Sequence, residues 1–357
     1  MPSGQKSKDC LNGIKKGVRL PFPFKLTFPL RQEITVQRKL PVNLDPKDLP
    51  LFNNSIKASF ERQHPVFIKN AWILQDTVFS PGEFKFYAHL THIAKLGPIQ
   101  FAKRAAYCAT KSWKKIPKGM WVIDEWSPNY FHWIADCLPR IWEGLEKDPE
   151  CPLILPESYK SLSFVTQSLD LLGLRVIYYK SNVNLQVDLL ILTAKTAPFP
   201  HFHVERTLNT RERLAKTILK EPWRKVYISR SLALKRKAHN EPDVEVLLKK
   251  RGYEIYHAER LNFVQQIQLM AETQVLVSLH GAALTNMIFL PKTSKVLELR
   301  NAGDSLTQCY FNLASVLGLP YYYTLNQGDS ANTIITEFTI NIEALQMALD
   351  EIEGLDN

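Results

Sequence analysis

The sequence lacks the short motifs that identify several large enzyme classes. Its 357 residues contain no G-x-G-x-x-G, no Walker loop, no G-x-S-x-G and no H-E-x-x-H pattern. These absences argue against a dinucleotide-dependent dehydrogenase, an NTPase, a hydrolase of the nucleophile-elbow type and a zinc protease. The chemistry of this chain therefore has to be inferred from other groupings of residues.

Cysteine is scarce and unpaired along the chain. The five cysteines show no C-x-x-C spacing and stand at Cys10, Cys108, Cys137, Cys151 and Cys309. An odd, scattered set favours free thiols in a reducing compartment over a disulfide scaffold or a cysteine zinc site. No apolar run approaches the roughly 18 residues that span a bilayer, and the N-terminus lacks the apolar region of a signal peptide. We therefore expect a cytoplasmic protein, either soluble or peripheral to a membrane.

Lysine and arginine outnumber aspartate and glutamate, which gives the chain a formal net charge of +10. The basic residues are spread along the chain, with local clusters at 111–118, 224–237 and 249–251. No RNA-binding, zinc-finger or basic-zipper pattern accompanies them. A distributed excess of positive charge favours anionic small ligands or an anionic membrane surface over nucleic acid.

Strand-like and helix-like segments alternate from about residue 64 onwards. Strands are predicted at 66–68, 71–74, 121–123, 152–155, 175–178, 187–192, 225–228, 253–256, 274–279, 295–299 and 320–325. Helices are predicted at 130–147, 158–172, 205–220, 244–250, 263–271, 284–290 and 342–352. This alternation indicates an α/β protein with parallel sheets.

The length of the chain suits two domains of about 150 residues each. We predict an irregular, basic and proline-rich N-terminal extension at 1–49, which packs over the first domain. A first α/β domain at 50–204, a second at 205–335 and a C-terminal helix at 336–357 follow.

The stretch 273–300 has the layout of a nucleotide-binding unit. A buried-strand pattern ends at His280 and Gly281, where the chain is expected to turn sharply into a helix. The amides and positive dipole end of such a helix can meet a phosphate. An imidazole at this end of a parallel strand also stands where ligands bind in open α/β sheets.

Small and acidic residues complete this layout. Ala282 and Ala283 are small enough to let a ligand approach the backbone, and Glu298 ends the next strand, where a carboxylate can hold a ribose hydroxyl. Every strand-to-helix turn needs small residues, so a purely structural role for Gly281 and both alanines stays open. His280 could likewise be a hydrogen-bonded structural histidine.

A second group of polar residues follows the strand at 121–123. Asp124 and Glu125 stand at its carboxyl end, and Asn129 is a good N-cap for the next helix. His132 and Asp136 are four residues apart, on one helical face, where a carboxylate can orient an imidazole as a general base. The aromatic run around His132 equally fits a packing face with a satisfied core histidine.

Four segments occur in a fixed order along the chain. They read N-Y-F-H-W-I-A-D-C-L-P-R at 129–140, Y-I-S-R at 227–230, N-E at 240–241 and H-G-A-A-L-T-N at 280–286. Together they resemble the signatures of glycosyltransferase family 61 across roughly residues 119–300. The resemblance implies an inverting, metal-independent transferase that takes a sugar from a nucleotide-sugar donor. It also implies a GT-B-like fold, with two Rossmann-like domains facing a central cleft.

The resemblance implies a donor site in the second domain. Arg230 is similar to the family's arginine at the donor diphosphate, and His280 with the backbone of Gly281, Ala282 and Ala283 resembles its phosphate loop. The remaining donor-side residues are Asn240, Glu241, Asn286 and Glu298. The family often has an arginine shortly before Asn240, and the run Lys235-Arg236-Lys237 leaves its register open.

The resemblance also implies an acceptor site in the first domain. His132 and Asp136 resemble the family's acceptor-side pair, and one of them, or the nearby Glu125, is expected to take the acceptor proton. The residues expected to line this side are Asn129, Tyr130, Trp133 and Arg140.

No metal or other cofactor is expected. The chain has no D-x-D triplet to bridge a metal to a diphosphate. His201 and His203 would share a strand face and could bind zinc, but no third ligand follows at a useful spacing. A solvated or acceptor-lining histidine pair is favoured instead.

These observations favour a hexosyl- or pentosyltransferase with a UDP-sugar as the favoured donor and a saccharide or lipid-linked acceptor. The lack of a signal or anchor points to a bacterial-type member that acts in the cytoplasm on surface or capsular polysaccharide precursors, in peripheral contact with an anionic membrane. A nucleotide-sugar-binding protein without turnover is the first alternative. A basic nucleic-acid-associated protein is the second.

Overall fold

The computed structural model describes residues 32–92, 97–216, 221–304 and 306–354. Most of the predicted N-terminal extension, 1–31, and the ends of the predicted helices at 217–220 and 355–357 lie outside these residues. The described residues all belong to one compact unit and form three sheets. The described residues thus form a mixed α/β fold, which confirms the predicted α/β class.

The first sheet is a two-stranded antiparallel pair of β1 (Gln32–Gln37) and β2 (Lys57–Arg62). The prediction of an irregular extension up to residue 49 is therefore wrong for β1. The segment after β1 was expected to pack over the first domain, but its backbone bonds elsewhere. Val42 N donates to Tyr321 O at 2.8 Å, and Asn43 Nδ2 donates to Tyr323 O at 2.7 Å. This part of the extension therefore lies on a strand of the third sheet.

The second sheet holds seven strands in the order β5-β4-β3-β9-β6-β7-β8. Its strands are β3 (Val66–Leu74), β4 (Thr77–Ser80), β5 (Lys85–Phe86), β6 (Ser112–Trp121), β7 (Leu153–Pro156), β8 (Val176–Tyr179) and β9 (Val183–Leu192). Strands β9, β6, β7 and β8 are parallel, as predicted. The parallel prediction is wrong for β3, which pairs antiparallel with β9 and with β4, since the short link between β3 and β4 only permits a hairpin. Strands β4 and β5, which pair antiparallel with each other, were not predicted.

The third sheet holds six strands in the order β11-β10-β12-β13-β14-β15. Its strands are β10 (Arg224–Ile228), β11 (Glu254–Tyr256), β12 (Thr273–Leu279), β13 (Lys295–Asn301), β14 (Tyr321–Gly328) and β15 (Phe338–Thr339). All neighbours except β14 and β15 are parallel. From β10 the chain first adds β11 on one side and then β12 on the other, so the strand order reverses between β10 and β12. Ligands of open α/β sheets bind beyond the carboxyl ends of strands at such a switch point.

The α-helices cover both large sheets. They are α1 (Leu49–Ile56), α2 (Ala88–Thr91), α3 (Pro98–Ala109), α4 (Tyr130–His132), α5 (Leu138–Lys147), α6 (Ser163–Leu171), α7 (Val204–Leu214), α8 (Glu241–Lys250), α9 (Phe263–Ala271), α10 (Cys309–Leu317) and α11 (Ile342–Glu353). One π-helical turn, Trp133–Cys137, joins α4 to α5. Shorter 3-10 helices occur at Pro46–Asp48, Glu157–Ser161, Ala258–Arg260 and Ala282–Phe289.

One hydrophobic core runs through both large sheets. Trp121 and Ile134 of the first half belong to the same buried cluster as Leu276 and Phe289 of the second half. A second cluster lies between the third sheet and helices α8 and α11. None of the described helices is both long and apolar enough to cross a membrane. The four described cysteines are free and buried.

Candidate functional site

The carboxyl ends of β10 and β12 bring Arg230 and His280 together at the switch point of the third sheet. Gly281 lies between them in extended backbone, with φ 170°, so a tight turn does not explain this glycine. Space explains it, because a Cβ added to Gly281 would lie 2.2 Å from Arg230 Nη1. The sequence prediction of a turn glycine is therefore corrected, since Gly281 makes room for a guanidinium.

The guanidinium of Arg230 is held by the loop that follows β10. Its Nε donates to Arg236 O at 3.0 Å, and Nη2 donates to Lys235 O at 2.9 Å. Burial lowers the pKa of Arg230, and the nearby Arg236 lowers it further. Two guanidinium groups that repel each other at this edge create a site whose charge an anion would balance.

Two residues predicted to bind the donor hold this loop in place instead. The buried Glu241 Oε1 accepts from Tyr227 Oη, Ser229 Oγ and Arg230 N, the last two at 2.7 Å. Asn240 exchanges hydrogen bonds of 2.9 Å with the backbone of Ile340. Because Glu241 Oε1 and the Asn240 amide bond within the protein, Asn240 and Glu241 are corrected to positioning residues.

His280 is oriented by a buried carboxylate. Its Nδ1 lies 2.5 Å from Glu298 Oε1, and Glu298 Oε2 accepts from Tyr321 Oη at 2.5 Å. Burial alone would raise the pKa of Glu298, but His280 and Arg300 bring it below the ordinary value. Both oxygens of Glu298 are thus engaged within the core, so the predicted contact with a ribose is corrected to an orienting role behind His280.

The segment after Gly281 is a 3-10 helix, Ala282–Phe289, where the sequence predicted an α-helix at 284–290. Ala282 and Ala283 are half-buried at its start, and no side chain caps it. The approach of a ligand to this backbone stays a prediction. Asn286 differs, because it is buried and its Nδ2 donates to Gln266 Oε1 at 2.8 Å.

A second polar cluster lies at the start of α4. His132 Nδ1 and Asp136 Oδ2 are 2.7 Å apart, as the four-residue spacing predicted. Asn129 caps the helix, since its Oδ1 accepts from Phe131 N at 2.9 Å. Lys195 Nζ lies 3.9 Å from Asp136 Oδ2 and 3.3 Å from Asp124 Oδ2. The pair is a histidine-carboxylate arrangement of the kind that general bases use.

Two other predicted acceptor-side residues belong to the core. Trp133 is fully buried, and its Nε1 donates to Ser168 Oγ at 2.9 Å. Arg140 is also fully buried, and its Nη2 donates to Thr193 O at 2.5 Å and to Leu90 O at 3.1 Å. Neither side chain is accessible to an acceptor, so both predictions are corrected to structural roles. Glu125, in contrast, is exposed beside Asp124.

The two clusters are linked directly. Tyr130 Oη donates to Asn286 Oδ1 at 2.5 Å, which joins α4 to the 3-10 helix after His280. The Tyr310 ring lies 5.8 Å from the ring of Phe131 and 5.0 Å from the imidazole of His280. Segments at 130–132 and 280–286, far apart in sequence, therefore form one continuous region.

Comparison with known families identifies this region. The sequence model described as Glycosyltransferase 61 matches residues 130–297, which begin with α4 and end in β13. Residues 130–297, slightly less than half of the chain, therefore match glycosyltransferase family 61. The resemblance inferred from four short motifs is thus confirmed over residues 130–297, while the bacterial-type subtype stays a prediction.

Relatives of this family 61 segment include animal proteins named EGF domain-specific O-linked N-acetylglucosamine transferase. The Bos taurus protein is 38% identical over 66 residues, which cover 18% of this chain and 12% of the relative. The Drosophila melanogaster protein is 40% identical over 63 residues, with the same coverage of 18% and 12%. The Xenopus laevis protein is 35% identical over 74 residues, or 21% of this chain and 14% of the relative. The matches therefore span only a small part of each relative.

Sequence reasoning on the family 61 segment missed several residues that shape the site. Arg236 lies beside Arg230. Lys195 stands between two carboxylates and follows β9, so its position after a parallel strand was an available signal. Tyr310 and Tyr321 had no such signal, because their contacts depend on tertiary packing.

The histidines considered as zinc ligands have other contacts. His201 stacks on Phe60 and its Nδ1 lies 3.2 Å from Arg38 Nη2. His203 caps α7 by accepting from Arg206 N at 3.5 Å. Within the described ranges, no group of three or more histidine, cysteine or acidic residues is arranged to hold a metal ion.

Proposed function

We propose that this protein is a glycosyltransferase that moves a sugar from a nucleotide-sugar donor to an acceptor hydroxyl with inversion at the anomeric carbon. The observation that carries the proposal is the Tyr130–Asn286 hydrogen bond, which joins a histidine-carboxylate pair to a cationic sheet edge. A transferase needs a base for the acceptor and an anion site for the leaving group in one continuous region. The proposal includes a GT-B-like arrangement of the two halves around a cleft.

The donor diphosphate would bind where β10 and β12 end. Arg230 and Arg236 supply positive charge, and the half-buried start of the 3-10 helix at Ala282 supplies backbone amides. Arg230 now donates to two loop carbonyls, so a diphosphate would compete with them for its guanidinium. His280, whose Nδ1 faces Glu298, would offer Nε2 to the same diphosphate.

The acceptor would be activated by His132. With Nδ1 held by Asp136, Nε2 is the nitrogen that takes the proton from the acceptor hydroxyl. The acceptor oxygen forms its bond to the anomeric carbon as the bond from that carbon to the diphosphate oxygen breaks. The electron pair of the broken bond leaves with the nucleoside diphosphate. Attack from the face opposite the leaving group inverts the configuration.

We propose that this reaction needs no metal or other cofactor. Negative charge that develops on the departing diphosphate requires preorganised donors, and Arg230, Arg236 and His280 are such groups. Glu298 is turned into the core, so the groups that face the proposed diphosphate are hydrogen-bond donors.

The proposal keeps a UDP-sugar as the favoured donor and a saccharide or lipid-linked molecule as the acceptor. The name of the animal relatives adds N-acetylglucosamine to the sugars worth testing. We retain, as part of the same proposal, a role in surface polysaccharide synthesis in the cytoplasm, with the net charge of +10 supporting peripheral contact with an anionic membrane.

A thermal-shift panel with UDP, GDP, CMP and their sugar conjugates, with and without EDTA, tests the donor side. A ligand that binds only the native state adds about 2.7 kcal/mol at a hundredfold excess over its dissociation constant. We expect a shift with one nucleotide family that survives EDTA and is lost in Arg230→Ala. No shift with any nucleotide would contradict the proposal.

Substitution of the base tests the catalytic side. We expect His132→Ala and Asp136→Asn to keep the thermal shift with the donor while transfer falls by at least about 100-fold, the usual contribution of a general base. Wild-type protein that binds the donor without transfer to any acceptor in a broad panel would instead favour the nucleotide-sugar-binding alternative.

A further inference from the structure

A cleft of about 280 Å³ opens beside Asp124 and Lys195. Its walls come from β2, α2 and the segments that follow β6 and β9. They are Glu61, Gln63, His89, Leu90, His92, Asp124, Lys195 and Pro198. This volume is near the lower end of small-molecule sites. The family 61 motifs do not include most of these residues.

Asp124 and Lys195 connect the cleft to the proposed base. Both line the cleft, and Lys195 Nζ lies between Asp124 Oδ2 at 3.3 Å and Asp136 Oδ2 at 3.9 Å. Asp136 in turn holds His132. The cleft is therefore connected to the imidazole of the proposed base through Lys195 and Asp136.

Two exposed aromatic side chains flank the same imidazole. Trp126 is 47% exposed, with its ring 5.4 Å from that of His132, and its backbone N donates to Asp124 Oδ1 at 3.0 Å. Phe199 is 51% exposed, stands next to Pro198 of the cleft and lies 6.4 Å from Phe131. Large aromatic rings left exposed beside a reactive group offer flat apolar surfaces to a ligand.

The charges of the cleft favour an uncharged, polyhydroxylated ligand. Burial lowers the pKa of both His89 and His92, which keeps the imidazoles neutral near pH 7. Lys195 is balanced by Asp124, and Glu61 adds a carboxylate. Such a wall carries hydrogen-bond donors and acceptors without a net positive charge, so it does not suit a phosphate.

We propose that this cleft is the acceptor subsite and that it takes a neutral saccharide whose ring lies on Trp126. Sugar rings combine hydroxyl groups, which match the cleft wall, with a face of C–H groups, which packs on an aromatic ring. This inference rests on the proposed transferase function and specifies its acceptor class. Trp126 is then a specificity-determining residue, because it contacts the acceptor and takes no part in proton transfer.

Binding is measured without turnover, by saturation-transfer NMR with neutral gluco-, xylo- and N-acetylchito-oligosaccharides. A serine- and threonine-rich peptide and a short-chain prenyl phosphate are the competing probes. We expect at least one oligosaccharide to bind wild type and to lose roughly tenfold in affinity in Trp126→Ala, with Trp126→Phe restoring most of it. Trp113→Ala is the matched control, since Trp113 is 48% exposed in β6, the strand that precedes Trp126, and it should leave affinity within about twofold.

The same variants separate the two proposals. If UDP or another nucleotide shifts the melting temperature of wild type and Trp126→Ala equally, the donor site stands whatever the acceptor result. Binding of the peptide or the prenyl phosphate in place of every oligosaccharide would overturn the saccharide assignment alone. Equal oligosaccharide affinity in wild type and Trp126→Ala would also overturn it. Where an active acceptor is found, Trp126→Ala should raise its KM by roughly tenfold and leave the donor KM unchanged.

Discussion

Tyr130 Oη donates a 2.5 Å hydrogen bond to Asn286 Oδ1, and Asn286 Nδ2 donates a hydrogen bond to Gln266 Oε1 in α9. Tyr130 stands two residues before His132, and Asn286 stands six residues after His280. This hydrogen bond thus connects the segment of the proposed base directly to the segment of the proposed diphosphate site. Both residues belong to the family 61 motifs, and this contact gives them a shared physical role.

Removal of this hydrogen bond should lower turnover more than donor binding. In Tyr130→Phe the buried Asn286 Oδ1 loses its partner, which costs about 1 to 3 kcal/mol of unfolding free energy. We expect kcat to fall roughly tenfold or more, because a small misplacement of reacting groups is expensive. Urea unfolding and steady-state kinetics measure the two effects.

Tyr107→Phe provides the control for that substitution. Tyr107 is 56% exposed, and its ring packs against the Lys111 ammonium, a contact that phenylalanine can keep. Stability and kcat should remain at wild-type values. An equal loss of kcat in both variants would show that the Tyr130–Asn286 bond does not position the base.

Gly281→Ala should weaken donor binding because the new methyl group displaces Arg230. The added Cβ would lie 2.2 Å from Arg230 Nη1, so the guanidinium has to move away from the diphosphate position. We expect the dissociation constant for the nucleotide to rise by roughly tenfold or more, the size of a lost charged hydrogen bond. Titration calorimetry with the nucleotide found in the thermal-shift panel measures it.

Gly82→Ala separates this effect from a general response to an added methyl group. A Cβ at Gly82 would meet no atom within 4 Å. Nucleotide affinity in this variant should match wild type. Unchanged affinity in Gly281→Ala would mean that Arg230 does not hold the donor in its present position.

The pH dependence of stability should carry a contribution from Glu298. Burial opposes ionisation, but His280 and Arg300 lower the pKa below the ordinary value of 4.5. The ionised carboxylate therefore stabilises the fold fully above about pH 4.5, and this stabilisation is lost as the pH falls through the lower folded-state pKa. Glu298→Gln should be less stable than wild type at pH 7, by about 2 kcal/mol.

Urea unfolding from pH 7 to pH 3 distinguishes stabilisation by the Glu298 charge from stabilisation by packing of its side chain. The difference in unfolding free energy between wild type and Glu298→Gln should shrink as the pH falls below about 4.5, since the wild-type carboxyl then gains a proton. A difference that stays constant across this range would show that the Glu298 charge contributes nothing to stability.

Arg206 should matter far more for stability than its position in a surface helix indicates. It is almost fully buried and bonds Glu143 Oε1 at 2.7 Å and both oxygens of Glu146. Arg206→Ala leaves the buried Glu143 with Arg62 as its remaining cationic partner, so we expect a loss of about 3 kcal/mol. Thermal unfolding of this variant beside Lys160→Ala makes the comparison. The Lys160–Glu157 pair is solvent-exposed, and its loss should cost less than about 1 kcal/mol.

Local patterns predicted part of this fold well. Helix α9 was predicted with its observed bounds, Phe263–Ala271, because its apolar residues recur with helical spacing. Helix α10 was missed, since seven of its nine residues are buried and no polar face marks a period. The strand β1 was missed because its partner β2 comes 20 residues later, and pairing over that distance leaves little local trace.

Prediction of the candidate site was limited in the same way, because local sequence does not determine which side chains are buried. The four-residue spacing was enough to predict the contact between His132 and Asp136. It was not enough to show which way Glu241, Glu298 or Arg140 faces, because burial of a polar side chain depends on partners such as Tyr227, Tyr321 and Thr193. Motif membership thus identified the neighbourhood, and tertiary packing decided which members are accessible.

The single core that runs through both large sheets has a mechanical consequence. Side chains from Trp121 in one sheet to Leu276 in the other belong to one buried hydrophobic cluster, so moving the halves apart would expose apolar surface to water. Motion on the timescale of turnover should therefore be confined to loops such as 231–237. The radius of gyration in solution should then be the same with and without nucleotide, while hydrogen exchange slows in that loop alone.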